Sequence, residues 1–254
     1  MRKTFMTRLL NHASRRLFWA SKWFEEPSNR GLAKRKLSIK QVHALNMPWL
    51  RAYQFRTVFD IGANIGEFAG TMELMFPGIQ IYSFEPLPDC FHQLEERMKH
   101  YPHYKAFPVG LAETSGEKTI FLSSSSASSS FRPMGQLHKE AFPYASGSNE
   151  VTVKIERLDD VARDLEIKSP TLMKIDVQGF EDQVLKGAPE TLKKADVVII
   201  ETSFTPLYEG QPLFDDIYGM MRDRGFKFVG IQDSLADPRD GRILQIDGVY
   251  EKAR

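Results

Sequence analysis

Between Thr57 and Gly70 the chain reads T-V-F-D-I-G-A-N-I-G-E-F-A-G. A short apolar run ends at Asp60, Gly62 and Gly66 flank Asn64, and a helix-compatible stretch opens at Glu67, the outline of strand, tight turn and helix N-terminus. Glycine has no Cβ to hold a ligand off the backbone and tolerates positive φ, so such a turn suits close approach of a cofactor. The next strand-like run, I-Q-I-Y-S-F-E-P, ends at Glu85, about 20 residues downstream, where a carboxylate accepts both hydroxyls of a ribose. Turn and carboxylate together point to a nucleoside. A dinucleotide needs glycine at the middle of the turn so that backbone reaches a pyrophosphate, and Asn64 stands there, which disfavours a nicotinamide-dependent oxidoreductase. S-adenosylmethionine has the ribose and adenine without the pyrophosphate, and its sulfonium and amino group favour acceptors such as Asp60 and the turn carbonyls.

A second chemical cluster is T-L-M-K-I-D-V-Q-G-F-E-D, Thr171 to Asp182. Its strand ends at Asp176, Gly179 sits in the turn, and Glu181 and Asp182 suit a helix N-terminus. Asp176 is thereby held at the active edge. It and His138 are the candidates to take a proton from an acceptor, the alternatives being cofactor contact or helix capping for Asp176 and an exposed loop for His138. Asp176 and Glu201 are also hard oxygen donors, but two acids at neighbouring strand ends are weak grounds for a metal, and none is assigned.

The elements that hold these residues alternate as β, α, β, α, β from Thr57 to Val109. Right-handed crossovers then give a parallel sheet with its ligand at the carboxyl ends of the strands, where the glycine turn, Glu85 and Gly110-Leu111-Ala112 converge and Leu111 lies against the adenine. The alternation breaks between Gly116 and Leu158. Strands Lys118–Leu122 and Val151–Ile155 bracket S-S-S-S-A-S-S-S-F-R-P-M, Ser123 to Met134, either a flexible loop or a substrate wall where hydroxyls and Arg132 bind a polar ligand. After Asp176 come a helix to Leu192, a strand ending near Glu201, a helix from about Leu213 to Arg224, and strands Phe226–Ile231 and Ile243–Tyr250. Only the loop Gln232–Arg242 joins the last two, so the final strand is antiparallel in a mixed seven-stranded sheet.

The chain has 254 residues, 34 Lys and Arg against 33 Asp and Glu, and one cysteine, Cys90. This describes one α/β domain with an appendage, without a disulfide, a cysteine-rich zinc site or a global pull toward nucleic acid. No apolar run approaches the roughly 20 residues of a membrane span. The expected location is the cytoplasm, with or without a peripheral membrane contact. Residues 1–24 carry only positive charges, Arg2 to Lys22, interleaved with apolar residues from Phe5 to Phe24. That pattern predicts a basic amphipathic helix, docked on the domain, on a membrane surface or on a partner. A break at Pro27–Gly31 and a helix over Ser38–Arg51 follow, dividing the chain into a helical N-terminal extension, 1–52, and a Rossmann-like domain, 53–254.

These motifs resemble one family. V-F-D-I-G-A-N-I-G-E-F, F-E-P at Phe84–Pro86, R-L-D-D at Arg157–Asp160, and above all K-I-D-V-Q-G-F-E followed by V-L-K-G-A are similar to the FkbM S-adenosylmethionine-dependent methyltransferases, from about Thr57 to Tyr250. Members often have Glu where this chain has Gln178. The resemblance implies a class I methyltransferase fold, S-adenosylmethionine as cofactor, and methyl transfer to a hydroxyl of a sugar, polyketide or similar small molecule or glycan. Expected cofactor contacts are Asp60, Gly62, Ala63, Asn64, Gly66, Glu85, Pro86 and Leu111. The competing reading is a non-catalytic nucleoside-binding protein acting through its basic arm. Oligomeric state is left open.

Overall fold

The computed structural model describes Leu32 and residues 37–145, 147 and 149–253. The arm, residues 1–24, and the break at 27–31 lie outside the described residues. Helix α1, Ile39–Leu45, is capped by Ser38, whose Oγ accepts from the Gln41 amide at 3.3 Å. The single helix expected over Ser38–Arg51 is two. Met47 is extended (φ −83, ψ 133) and Pro48 opens a separate four-residue turn. The proline ring disfavours α geometry in the residue before it, so the helix cannot run through Met47.

Strands β1 (Thr57–Ile61), β2 (Gln80–Phe84) and β3 (Tyr104–Phe107) alternate with helices α2 (Glu67–Met75) and α3 (Pro88–Met98). Then come β4 (Gly110–Leu111), β5 (Gly116–Phe121), α4 (Gln136–Ala141), β6 (Glu150–Glu156), β7 (Thr171–Ile175) and α5 (Glu181–Lys186). The chain closes with β8 (Val197–Ser203), α6 (Phe214–Asp223), β9 (Phe226–Ala236) and β10 (Ile243–Lys252). The main sheet has seven strands in the order β3-β2-β1-β7-β8-β10-β9, with β10 antiparallel to both neighbours. This is the mixed sheet of the Rossmann-like class I methyltransferases.

Two boundaries differ from expectation. The third strand stops at Phe107 rather than Val109, because Pro108 has no N–H for the ladder; Gly110–Leu111 instead joins a three-stranded sheet, β4-β6-β5. Strand β9 runs five residues past Ile231, pairing as far as Ala236↔Ile243, so the first five residues of the expected Gln232–Arg242 loop are ladder. The remaining turn is held by Asp237, which accepts the Arg239 amide at 2.8 Å.

Side chains alternate across the main sheet. Phe59, Ile61, Met173, Ile175, Val198 and Ile200 pack on one face with Leu185, Leu192 and Met221. Val58, Leu172 and Ile199 pack on the other with Phe68, Met72, Leu94 and Met98. Burial of this kind contributes about 25 cal/mol per Å² of apolar surface and makes the sheet a rigid platform for its carboxyl edge. The small sheet buries Ile120, Val153 and Ile155 against Phe131, Phe180 and Cys90 of α3. Among the described residues no helix is long and apolar enough to cross a membrane.

Candidate active site

The glycine turn is tied to β2 from within: the Gly62 and Ala63 amides both donate to the Phe84 carbonyl at 3.0 Å. Asn64, at φ 46, then points its backbone N–H at Glu85 Oε2 (2.8 Å), and the Leu87 amide donates to Glu85 Oε1 (2.8 Å). Glu85 is only 5% exposed, and burial pushes its carboxyl up to about 7 despite the two amides, which favour the charged form. A carboxylate offers about four lone-pair sites. The amides leave acceptor capacity on each oxygen, which suits the paired hydroxyls of a ribose.

Gly62, Asn64, Glu85, Pro86 and Leu111 line one cavity at the carboxyl edge, together with Asp176. Val109, Leu111, Ile120 and Phe131 make its apolar wall, a surface suited to adenine. The serine run lies across this cavity. Ser126, Ser129 and Ser130 line it, Ser126 Oγ is 3.1 Å from Asn64 Oδ1, and Ser130 Oγ donates to the Gln178 carbonyl at 2.5 Å. Arg132 turns away from it to pair with Asp182 at 3.2 Å. Acceptors for ribose, an apolar wall for the base and a carboxylate at the far end fit S-adenosylmethionine.

Three residues expected at the cofactor stand outside the cavity lining: Asp60, Ala63 and Gly66. Asp60 faces the other side of the sheet, fully buried in register with Lys174 of β7. Desolvation raises its carboxyl to about 6, opposed by the Lys174 ammonium. Gly66 makes room for α3, since a Cβ there would stand 2.6 Å from Leu94 Cδ1. Gly62 lines the cavity, but its missing Cβ is required by protein: that atom would fall 1.8 Å from the Asp176 carbonyl oxygen.

Asp176 is the start of a polar network. Lys174 Nζ donates to its Oδ2 (2.9 Å) and Gln178 Nε2 to its Oδ1 (2.8 Å). The same Gln178 amide reaches Glu201 at 3.0 and 2.8 Å, while the Tyr208 hydroxyl donates to Gln178 Oε1 at 2.8 Å. Burial and the neighbouring Asp176 hold the Glu201 carboxyl well above the usual range. Glu181 accepts the Val177 and Gly179 amides at 3.1 Å each, so this acid fastens its own turn. Among the described residues no three His, Cys, Asp or Glu side chains converge as a metal site would require.

His138 is not on an exposed loop. It lies on α4, 4% exposed, edge-on to the rings of Phe142 and Tyr208 at 5.5 and 5.2 Å. Burial lowers its pKa, and its Nδ1 has no partner. It lines a second, polar cavity with Glu201, and this cavity shares Ala127 and Gln178 with the first. Asp176 and His138 therefore flank Gln178 from two cavities rather than meeting in one.

The model of the methyltransferase FkbM domain matches residues 60–228 of this chain. The chain belongs to the FkbM methyltransferase family. It is an S-adenosylmethionine-dependent methyltransferase, and membership removes the nicotinamide-dependent alternative. Similar proteins include the 2-O-methyltransferase NoeI of Sinorhizobium fredii, 29% identical over 161 residues, covering 61% of this chain and 66% of that protein. The 31-O-demethyl-FK506 methyltransferase FkbM of Streptomyces tacrolimicus is 26% identical over 199 residues, covering 70% and 75%. The hexuronic acid methyltransferase AglP of Haloferax volcanii is 28% identical over 176 residues, covering 66% and 68%. The chain spans about two thirds of the length of NoeI. Sequence reasoning had no sign of Tyr208, 30 residues beyond Gln178, or of Lys174 as the partner of Asp176. The glutamine at 178 was the one signal that an amide joins the acids here.

Proposed function

We propose that this chain methylates a hydroxyl oxygen of a small-molecule or glycan acceptor. The observation that carries the reading is the pair of adjoining cavities, one suited to a nucleoside and one polar, with the buried His138 among the residues lining the second. The names of NoeI, a 2-O-methyltransferase, FkbM, a methyltransferase of 31-O-demethyl-FK506, and AglP, a hexuronic acid methyltransferase, support the same class of acceptor.

S-adenosylmethionine, when bound, supplies an electrophilic methyl on sulfonium. Glu85 would hold its ribose, and Val109, Leu111 and Phe131 its base. An alcohol is a weak nucleophile until its proton is withdrawn, and a neutral imidazole with a free lone pair is suited to that. His138 fits this role because burial keeps it uncharged. Asp176, holding Lys174 and Gln178, sets the floor between the cavities and orients the acceptor through that network. Rigid placement of the two reactants supplies much of the rate in such a displacement.

The test is transfer of labelled methyl from S-adenosylmethionine into a panel of sugars, polyols and polyketide alcohols, with product linkage read by mass spectrometry. Methylation at nitrogen or carbon alone would refute the reading.

A further inference from the structure

The second cavity has a charge pattern that the transfer of methyl to a hydroxyl does not require. Strand β10 is antiparallel to both neighbours, and its Asp247 is in register with Glu201 of β8 on one side and Asp233 of β9 on the other. The three acids occupy neighbouring positions across the sheet, and all three residues line the cavity. Like charges directly opposite on neighbouring strands are destabilising. Two of them are answered by protein: Glu201 by the Gln178 amide, Asp233 by Lys40 of α1. Asp247, in the middle, has no hydrogen-bonded partner among the described residues. Lys174 of β7 and Lys40 act on it from a distance, against Asp176 and Asp233, and burial with this repulsion pushes its carboxyl up to about 7. His138, 4% exposed and with a buried, unpartnered Nδ1, lines the same space.

We propose that this cavity selects acceptors carrying a protonated amine beside the hydroxyl to be methylated, an amino sugar or amino alcohol in preference to a neutral or acidic one. The inference rests on the O-methyl transfer reading above and deepens it. An ammonium at Asp247 relieves the row of acids and supplies donors to the one carboxylate of the three that no protein donor answers. A uronic carboxylate would add a fourth acid to it and no donor. A divalent cation is a poorer occupant, since no three ligating side chains converge among the described residues.

The experiment measures dissociation constants of D-glucosamine, D-glucose and D-glucuronate by NMR at pH 7, on the full chain saturated with S-adenosylhomocysteine, and repeats them on Asp247→Asn. Glucosamine is expected to bind at least about 5-fold tighter than glucose, with glucuronate weakest, the scale of one partly screened charge pair. In Asp247→Asn the preference for the amine should shrink to within about 2-fold while calorimetric affinity for S-adenosylhomocysteine stays the same. Equal binding of glucosamine and glucose, undetectable binding of glucosamine, or a preference that survives in Asp247→Asn would overturn the proposal. Absence of S-adenosylhomocysteine binding would instead overturn the methyl-transfer reading beneath it.

Discussion

The side-chain amide of Gln178 spans both carboxylate oxygens of Glu201, at 3.0 and 2.8 Å. Its other hydrogen goes to Asp176 Oδ1 at 2.8 Å, so one neutral group holds two acids apart at the junction of the two cavities. An acid at this position would face both carboxylates with no donor to offer.

Gln178→Glu is therefore expected to lower stability at pH 7 by about 1–3 kcal/mol in urea unfolding. The deficit should shrink at pH 5, because Glu201 already sits well above the usual carboxylate range and takes up a proton first. Equal stability of the two proteins at pH 7 would show that the amide does not separate the acids.

Glu85 holds two backbone amides and is placed for a ribose. Glu85→Ala should weaken S-adenosylmethionine binding by about 1.5–3 kcal/mol, the scale of lost hydrogen bonds to a charged group, as measured by calorimetry on the folded variant. An unchanged dissociation constant would remove Glu85 from the cofactor site.

Gly62 has a different reason to be glycine than cofactor approach alone. At φ +78, with a Cβ destined to lie 1.8 Å from the Asp176 carbonyl oxygen, Gly62→Ala must push the ends of β1 and β7 apart. Loss of at least about 2 kcal/mol of stability is expected in thermal melts without any ligand. A variant that melts normally yet fails to bind cofactor would assign the space to the ligand instead.

His138→Asn should keep cofactor affinity within a few-fold and lower turnover by about 10² or more. In the parent protein the rate should fall on the acid side below the ordinary histidine range near 6.5, because burial lowers this pKa and protonation fills the lone pair the reaction needs. Asp176→Asn, which weakens the Lys174 contact, should reduce turnover while the acid limb stays where it was. A His138→Asn enzyme with normal turnover would exclude the imidazole as base.

Asp247 gives the fold a pH signature. Its folded carboxyl is raised from 3.8 to about 7, so the folded state keeps a proton that the unfolded chain releases. That contribution is complete below about pH 4 and is lost as pH rises through about 7. Relative to Asp247→Asn, the parent protein should lose at least about 2 °C of melting temperature between pH 5 and 8, the shift that about 1 kcal/mol produces in a domain of this size. A difference independent of pH would show that Asp247 titrates normally.

What the sequence determined by itself was local or periodic. The strand, glycine turn and helix at Thr57–Met75 and at Thr171–Lys186 are readable because turn residues and apolar runs act on their immediate neighbours. Glu85 follows from the length of one crossover, and the hairpin of β9 and β10 from the lack of a helix between them. Tertiary structure decided the rest, because it depends on which distant backbones pass close to one another. Whether Gly66 serves a ligand or a helix depends on where Leu94 comes to rest, and nothing near Gly66 encodes that. The serine run lies over a cavity because Asn64 and the Gln178 carbonyl meet it there. His138 is buried because Phe142 and Tyr208 pack against its ring. The row Glu201–Asp247–Asp233 exists only through the register of three strands, and a shift of one residue in β10 would turn Asp247 to the opposite face.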